Sequence, residues 1–145
     1  MEEMIGYCGY NCHLCAARSD EMSVRQRMVD AWKKYLGHEN YTAENVACDG
    51  CKSKGNNIAD KQCKARPCAR EKGLDSCAQC DDFPCDKVNH LFSTPVAMLT
   101  YRAPKFKDIT EEEFNFCVQQ WNNMPNLVKI LVKEGKIPSF ILDRI

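Results

Sequence analysis

The chain has 145 residues, and its 20 Lys and Arg residues balance 20 Asp and Glu residues, so the formal net charge is zero with His neutral. This length fits one domain, which we expect to span residues 1–145. The neutral balance argues against a dedicated nucleic-acid binder, and no run of about 18 apolar residues is available to span a membrane. Residues 1–4 (MEEM) lack the pattern of a secretory signal, so we expect a cytoplasmic protein.

The first feature along the chain is a group of three cysteines, Cys8, Cys12 and Cys15, within the segment CGYNCHLC. Their spacing, Cys-x-x-x-Cys-x-x-Cys, also occurs in radical enzymes that use S-adenosylmethionine. Those enzymes need a partial βα barrel and therefore a longer chain, and no strand–helix repeat follows the motif here. We interpret the three thiols as part of a wider set. The preceding residues 4–7 allow a short strand.

Residues 20–36 predict an amphipathic helix. Its apolar residues recur at spacings of three and four positions and form one stripe. Gly37 follows as a helix stop, and His38 after it is expected to be solvated. The stripe, which we expect in the core, consists of Met28, Val29, Trp32, Tyr35 and Leu36.

The segment from Thr42 to Asp82 has no aromatic residue and no Met, and its only large aliphatic residues are Val46, Ile58 and Leu74. It buries too little apolar surface to offset its conformational entropy, so something other than a hydrophobic core must order it. Cysteine is the candidate in sufficient supply. The segment and its edge carry two Cys-x-x-Cys knuckles, a looser pair and a single thiol, namely Cys48 with Cys51, Cys77 with Cys80, Cys63 with Cys68, and Cys85.

The remaining chain predicts helices. Residues 84–93 predict a short helix entered at Cys85, and residues 97–101 allow a short strand. Thr110 with Glu113 forms a capping box that opens a third helix, and Pro125 starts a fourth that ends near Gly135. Residues 137–145 form an apolar tail expected to pack back on the domain. The expected core stripes of the two later helices are Phe114, Cys117, Val118 and Trp121, then Leu127, Ile130 and Leu131.

These elements predict a mostly α fold, with a small α+β arrangement as the variant. We expect a Cys-rich, metal-stapled region with irregular loops, residues 1–95, packed on a helical C-terminal region, residues 96–145. Cys117 lies mid-stripe on a helix and is interpreted as a core thiol.

Metal ligation explains the other ten cysteines better than disulfides do. The chain has no secretory signal and an odd number of thiols, and a Cys-x-x-Cys turn aims both sulfurs at one point. We expect two or more zinc sites, with an iron–sulfur cluster as the alternative, because the ferredoxin-type cysteine run is absent. The candidate ligands are Cys8, Cys12, Cys15, Cys48, Cys51, Cys63, Cys68, Cys77, Cys80 and Cys85.

Near-neighbour pairing assigns one site to Cys12, Cys15, Cys48 and Cys51. The second would be drawn from the five thiols between residues 63 and 85, and pairing across the groups stays open. Two four-thiolate sites leave two cysteines over. Three sites would need two further ligands, for which His13 and His90 are close enough in sequence to be considered.

The cysteine groups resemble the Cys-rich prokaryotic family called domain of unknown function 3795. The resemblance covers about residues 5–90 and includes all ten candidate ligands. It implies a bacterial or archaeal cytosolic protein with a zinc role, and it supplies no activity and no catalytic residue. The segments that carry it are CGYNCHLC at 8–15, CDGC at 48–51, CKARPC at 63–68 and CAQCDDFPC at 77–85.

Three functional hypotheses follow. The first is a metal-binding module for binding or scaffolding, with a protein as the partner to consider, and not an enzyme, because no catalytic constellation is evident. The alternative is a redox or thiol-chemistry protein that uses an iron–sulfur cluster or surplus thiols, Cys8 with Cys85 or Cys63. The third is a nucleic-acid-binding module using the basic residues 52–72. That stretch lacks aromatic residues for base stacking, and its charge is better explained as offsetting thiolates.

Overall fold

The structure is a computed structural model, and it describes residues 4–94 and 106–145. The described residues form four α-helices joined by short 3-10 helices and turns. The α-helices are α1 (Met22–Leu36), α2 (Ala65–Glu71), α3 (Glu111–Cys117) and α4 (Met124–Lys133). The 3-10 helices are Cys12–Leu14, Ala16–Arg18, Cys77–Gln79, Asn89–Leu91, Phe106–Asp108, Gln119–Trp121 and Ser139–Arg144.

Extended pairing in these two ranges is limited to one isolated antiparallel bridge between Ile5 and Asn11. The expected strand at residues 4–7 is therefore wrong, since the chain turns back at Gly9 before a ladder can form. The strand expected at residues 97–101 lies outside the described residues. The mostly α class is confirmed for the part of the chain that is described.

Helix α1 forms because its apolar stripe finds a partner surface. The five stripe residues predicted from sequence are all buried, and Gly37 ends the helix with φ +73°, a left-handed conformation suited to glycine. Arg25 on the same helix is buried as well. Its Nε donates to the Ala43 carbonyl at 2.7 Å and its Nη1 donates to the Ser19 carbonyl at 2.6 Å, so α1 also fixes the loops on either side.

Helix α3 begins where the sequence predicts. The Thr110 hydroxyl accepts a hydrogen bond from the Glu113 N–H at 3.2 Å and caps the first turn. At the other end Cys117 is fully buried, and its carbonyl accepts a 2.6 Å hydrogen bond from Trp32 Nε1 of α1. The Trp32 ring stacks on Trp121 at 5.1 Å between centroids. Helices α1 and α3 thus share one core, and the expectation of a core thiol at Cys117 agrees with its burial.

Helix α4 has Pro125 in its first turn and ends before Gly135, which has φ +72°. Leu127 is fully buried, while the C-terminal tail is only partly covered. The tail forms a 3-10 helix over Ser139–Arg144, and Phe140 remains 56% exposed. The expectation that the whole tail packs back on the domain is therefore met only in part.

The helix expected at residues 84–93 is wrong. The Cys85 carbonyl accepts from the N–H groups of both Val88 and Asn89, at 3.2 and 2.8 Å, which gives a turn followed by the 3-10 helix Asn89–Leu91. The Val88 side chain, at the start of this tighter 3-10 turn, is buried in a small hydrophobic cluster, whereas His90 is exposed.

Two buried clusters organise the described residues. The larger lies between α1, α3 and residues 16–17. The smaller underlies the cysteine loops and is built mainly from small side chains; its buried members are Tyr7, Cys8, Ala65, Ala69, Cys77 and Val88. None of the helices in residues 4–94 and 106–145 has the length and apolar character needed to cross a lipid bilayer.

Candidate metal centres

The first cysteine group consists of Cys12, Cys15, Cys48 and Cys51, the set that near-neighbour pairing predicts. Backbone hydrogen bonds bring its two halves together, since the Cys48 N–H donates to the Ala17 carbonyl at 2.9 Å. The thiols of Cys12 and Cys51 interact directly, and Cys15 is close enough to Cys12 and Cys48 to feel their charge. Four sulfurs from two separate knuckles therefore share one locality.

Gly6 lies against this group. A Cβ at Gly6 would be 3.4 Å from both the Cys12 and the Cys51 sulfur, so both sulfurs lie next to this residue. The hydrogen bond with Cys51 lowers the pKa of Cys12 to about 6, assisted by the backbone N–H groups of Cys51 and Gly6 and by the Arg18 guanidinium. Burial, in contrast, raises the pKa of Cys15 to about 12. The surroundings thus favour an anionic sulfur at Cys12.

The second cysteine group consists of Cys68, Cys77, Cys80 and Cys85. Their side chains line one cavity of about 230 Å³ between α2 and the 77–85 loop, with Leu74 and Phe83 among its apolar walls. Burial, followed by the charges of Cys85 and Cys68, raises the pKa of Cys77 to about 11. Four of the five thiols that the sequence left open for a second site therefore converge here.

Two lysines contact sulfurs of the second group. Lys72 Nζ is 3.3 Å from Cys80 Sγ, and Lys87 Nζ is 3.7 Å from Cys68 Sγ. The Asp82 N–H, followed by Lys72, lowers the pKa of the half-buried Cys80. The Asp82 carboxylate is 3.5 Å from Lys72 but 80% exposed, so it is turned to solvent. The cations of the basic stretch at residues 52–72 thus include one that compensates thiolate charge, as the sequence suggests.

Cys8 and Cys63 lie between the two groups. Cys8 is within electrostatic range of Cys12 on one side and of Cys63 and Cys77 on the other. Burial raises the pKa of Cys8 to about 12 despite a hydrogen bond from the Tyr10 N–H. Cys63 is also within electrostatic range of Cys51 and Cys77. Cys8 and Cys63 thus lie outside the two groups, whereas Cys85 lies in the second group.

Three of the sulfurs accept a hydrogen bond from the backbone N–H two residues later. The pairs are Cys8 with Tyr10, Cys15 with Ala17, and Cys80 with Asp82. Hydrogen bonds of this kind orient a ligand sulfur and stabilise its charge, as the outer partners of metal ligands do. None of the eleven cysteines, all of which lie in the described ranges, forms a disulfide.

The helical C-terminal part holds the cysteine loops in place. Asn123 Nδ2 donates to the Cys8 carbonyl at 2.8 Å, and Asn126 Nδ2 donates to the Gly9 carbonyl at 2.8 Å. Lys136 Nζ donates to the carbonyls of Ala78 and Cys80 at 3.0 and 2.8 Å. Knuckle positions near both groups are therefore fixed by residues more than 30 positions further along the chain.

The described sulfurs do not have the geometry of a site for a single metal ion. Over residues 4–94 and 106–145, no three His, Cys, Asp or Glu side chains are arranged to hold one metal ion together. Of the two histidines considered as extra ligands, His13 is half-buried, and exposed His90 has Nδ1 3.3 Å from the Asp86 carbonyl. His38, expected to be solvated, is half-buried, with its ring edge-on to Trp32 and Trp121 at 6.2 and 6.0 Å.

A family model described as "Protein of unknown function (DUF3795)" matches residues 4–90, more than half of the chain. The chain belongs to this family. The resemblance seen in the sequence is thereby confirmed. The DUF3795 match contains both cysteine groups and ends before α3 and α4 begin. No curated protein and no solved structure matches the chain.

Helix α2 was missed from the sequence, although it carries Cys68 into the second group. Its signals are the apolar pair Ala65 and Ala69, four positions apart, and Pro67 in the first turn, where proline is tolerated. Arg66 on this helix was missed as well. Its guanidinium donates to the carbonyls of Cys51 and Gly55, each at 2.9 Å, and so fixes the loop of the first group.

Proposed function

We propose that this DUF3795 protein is a metal-binding module in which two groups of cysteine thiolates hold metal centres, with zinc at the first group. The observation that carries the proposal is the meeting of Cys12 and Cys15 with Cys48 and Cys51, from two knuckles more than 30 residues apart, with the Cys12 and Cys51 sulfurs next to Gly6. Rotation of these side chains toward one another would bring four sulfurs to one ion.

The chemistry of the donor set supports this proposal. Ligation by thiolates alone suits zinc or iron–sulfur centres, whereas Mg²⁺ and Ca²⁺ require oxygen ligands. A tetrahedral zinc site has Zn–S distances of about 2.3 Å and so places its sulfurs about 3.8 Å apart. The hydrogen bond between the Cys12 and Cys51 thiols brings these two sulfurs close together, as such a site requires.

The proposed role of the metal is structural. Most buried residues of the core beneath the cysteine loops are small, such as Ala65, Ala69 and Val88, and larger side chains such as Phe83 and Phe92 are only partly buried there. Metal–thiolate bonds would supply the missing free energy of folding, because a metal that binds only the folded loops stabilises them directly. A module ordered in this way suits binding or scaffolding in the reducing cytoplasm, where unpaired thiols persist.

Native mass spectrometry of the full chain tests the proposal. We expect the protein purified with zinc to retain at least one zinc ion per chain, and Cys48→Ser to lose it. Cys117→Ala is the matched control, because Cys117 is buried between α1 and α3 and outside both groups, and it should retain the zinc of the parent protein. A parent protein that binds no metal stoichiometrically, or a Cys48→Ser variant with unchanged metal content, would refute the proposal.

A further inference from the structure

The two cysteine groups differ in how much space their sulfurs enclose. In the first group the Cys12 and Cys51 thiols form a direct hydrogen bond beside Gly6. In the second group the four cysteines line a cavity of about 230 Å³, and the partners of Cys77 act on it through charge, namely Cys85, Cys68, Cys63 and Cys80. The groups are therefore built for occupants of different size.

A single zinc ion does not fill the second cavity. Zinc contacts all four sulfurs at once and leaves no free volume among them, since the sulfurs are only about 3.8 Å apart. The second cavity, in contrast, has a volume of about 230 Å³, equal to that of about eight liquid-water molecules at roughly 30 Å³ each. An iron–sulfur cluster places a core of several metal and sulfide ions between its four cysteine sulfurs, and so holds those sulfurs much farther apart than zinc does.

The walls of the cavity suit such a cluster. Leu74 and Phe83 provide apolar surface, which limits access of water to a metal–sulfur core. A four-iron cluster with four thiolates is a dianion in its usual oxidised state, and the ammonium groups of Lys72 and Lys87 lie within 3.3 and 3.7 Å of two of the sulfurs. The Asp82 N–H donates to the Cys80 sulfur, as backbone groups around cluster ligands do.

From this geometry we propose that Cys68, Cys77, Cys80 and Cys85 ligate a four-iron, four-sulfide cluster, while the first group holds a single zinc ion. The inference rests on the proposed metal-binding function and specifies the occupant of its second site. On assembly two ferrous, two ferric and four sulfide ions form the cluster core without net electron transfer, and each of the four thiols loses its proton to solvent and forms one bond to iron. The protein would then combine a structural ion with a redox-capable centre, each on its own set of knuckles.

The test is anaerobic reconstitution of the full chain with zinc, sulfide and equal amounts of ferrous and ferric iron, followed by elemental analysis and visible spectroscopy. We expect iron and acid-labile sulfide in equal amounts, a broad visible absorption that bleaches with dithionite, and one zinc ion per chain. Cys80→Ser should show visible absorption at least tenfold weaker than that of the parent and keep its zinc. Cys48→Ser should show the reverse, and Cys63→Ser, a change outside both groups, should keep both centres.

The outcomes separate this inference from the proposed function. A colourless protein that binds zinc at both groups would overturn the cluster and leave the metal-binding function intact, whereas a protein that binds neither metal would overturn both. Loss of absorption in Cys63→Ser with retention in Cys80→Ser would also overturn the ligand assignment.

Lys72→Met provides a readout that does not depend on removing a ligand. Lys72 Nζ is 3.3 Å from the Cys80 sulfur, and its positive charge favours the reduced, more negative cluster. We expect Lys72→Met to bind iron and sulfide as the parent does, with a lower reduction potential. The matched change Lys64→Met, at an exposed residue outside the cavity lining, should leave the potential unchanged. Equal potentials for Lys72→Met and the parent would contradict the placement of the cluster.

Discussion

The side chain of Asn123 donates a 2.8 Å hydrogen bond to the carbonyl of Cys8, which precedes it by 115 residues. Asn123 is fully buried. It also donates to the Leu91 carbonyl at 3.0 Å and accepts from the Ser93 N–H at 2.8 Å. The Asn123 side-chain amide therefore satisfies three backbone groups from two separate segments, and it joins the loop that contains Cys8 to the start of α4.

Asn123→Ala should destabilise the protein by about 3 kcal/mol, because three backbone groups lose their partner in a buried place. Asn126→Ala is the matched control, since Asn126 makes a single hydrogen bond to the Gly9 carbonyl, and it should cost about 1 kcal/mol. Urea unfolding of the metal-loaded proteins measures both losses of stability, provided that the free energy of unfolding falls with urea concentration at the same slope in each variant. Equal costs for the two variants would contradict the central role of Asn123.

Gly9→Ala should also be strongly destabilising. Gly9 has φ +90°, and a Cβ there would lie 2.8 Å from Leu127 Cγ and 3.0 Å from the Asn123 carbonyl. The variant combines backbone strain of about 1–2 kcal/mol with overpacking of about 1–3 kcal/mol. At Gly135, φ is +72° and no atom lies within 4 Å of the added Cβ, so Gly135→Ala should show the strain alone. Thermal unfolding compares the two, and similar melting temperatures would refute the predicted steric conflict.

Metal removal should unfold one part of the chain selectively. With a strong chelator, amides in residues 42–82 should lose protection from hydrogen exchange, because that segment has few large apolar residues of its own. Amides of α1 should keep most of theirs, since the contact between α1 and α3 is apolar and includes the stacked Trp32 and Trp121 rings. Readdition of metal should restore the lost protection. Unchanged exchange in residues 42–82 after verified metal removal would contradict the structural role of the metal.

Arg66→Lys should weaken the loop of the first cysteine group. Lysine keeps the charge but cannot bond the Cys51 and Gly55 carbonyls together as the planar guanidinium does. We expect a loss of about 1–2 kcal/mol in stability and roughly tenfold in zinc affinity, as for other outer partners of metal ligands. Arg70→Lys, on the exposed side of the same helix, should change neither. Competition with a chromophoric chelator measures the affinity, and parental zinc binding by Arg66→Lys would count against this role.

Cys117 should be inert to alkylation in the native protein. Burial raises the pKa of Cys117 to about 12, so at pH 8 only about one molecule in 10,000 carries the thiolate that reacts. As long as the pH stays below the pKa, the thiolate fraction rises about tenfold for each unit by which the pH is raised. Iodoacetamide labelling followed by peptide mass spectrometry should therefore find Cys117 modified only after unfolding in urea. Rapid native labelling at pH 8 would show that α3 opens far more readily than its burial implies.

Features determined by local patterns were predictable from the sequence. The stripe of α1, its end at Gly37 and the Thr110 cap depend on residues within a few positions of each other, and all three are found as expected. The 84–93 segment differs, because the burial of Val88 depends on Cys8 and Ala65, which are distant in sequence. Helix α2 was hidden for a similar reason, since its seven residues are too few to show a full apolar stripe.

The cysteine groups show the same division. Spacing within each knuckle gave the membership of the first group, but it left five candidates for the second. The exclusion of Cys63 depends on α2, which places Cys68 on the cavity wall and leaves Cys63 near Cys8 and Cys51. Contacts between loops that are far apart in the chain cannot be read from spacing, since loop closure of many lengths costs a similar entropy.

The hydrogen bonds from Lys136 to Ala78 and Cys80 set a condition on relatives of this chain. The shared family segment ends at residue 90, yet carbonyls within it are satisfied by a lysine 46 positions beyond that boundary. A relative that keeps the cysteines but has a different C-terminal region must supply another donor to this knuckle, or leave its carbonyls to water. Sequence changes after residue 90 could therefore alter the surroundings of the second cysteine group without replacing any of its cysteines.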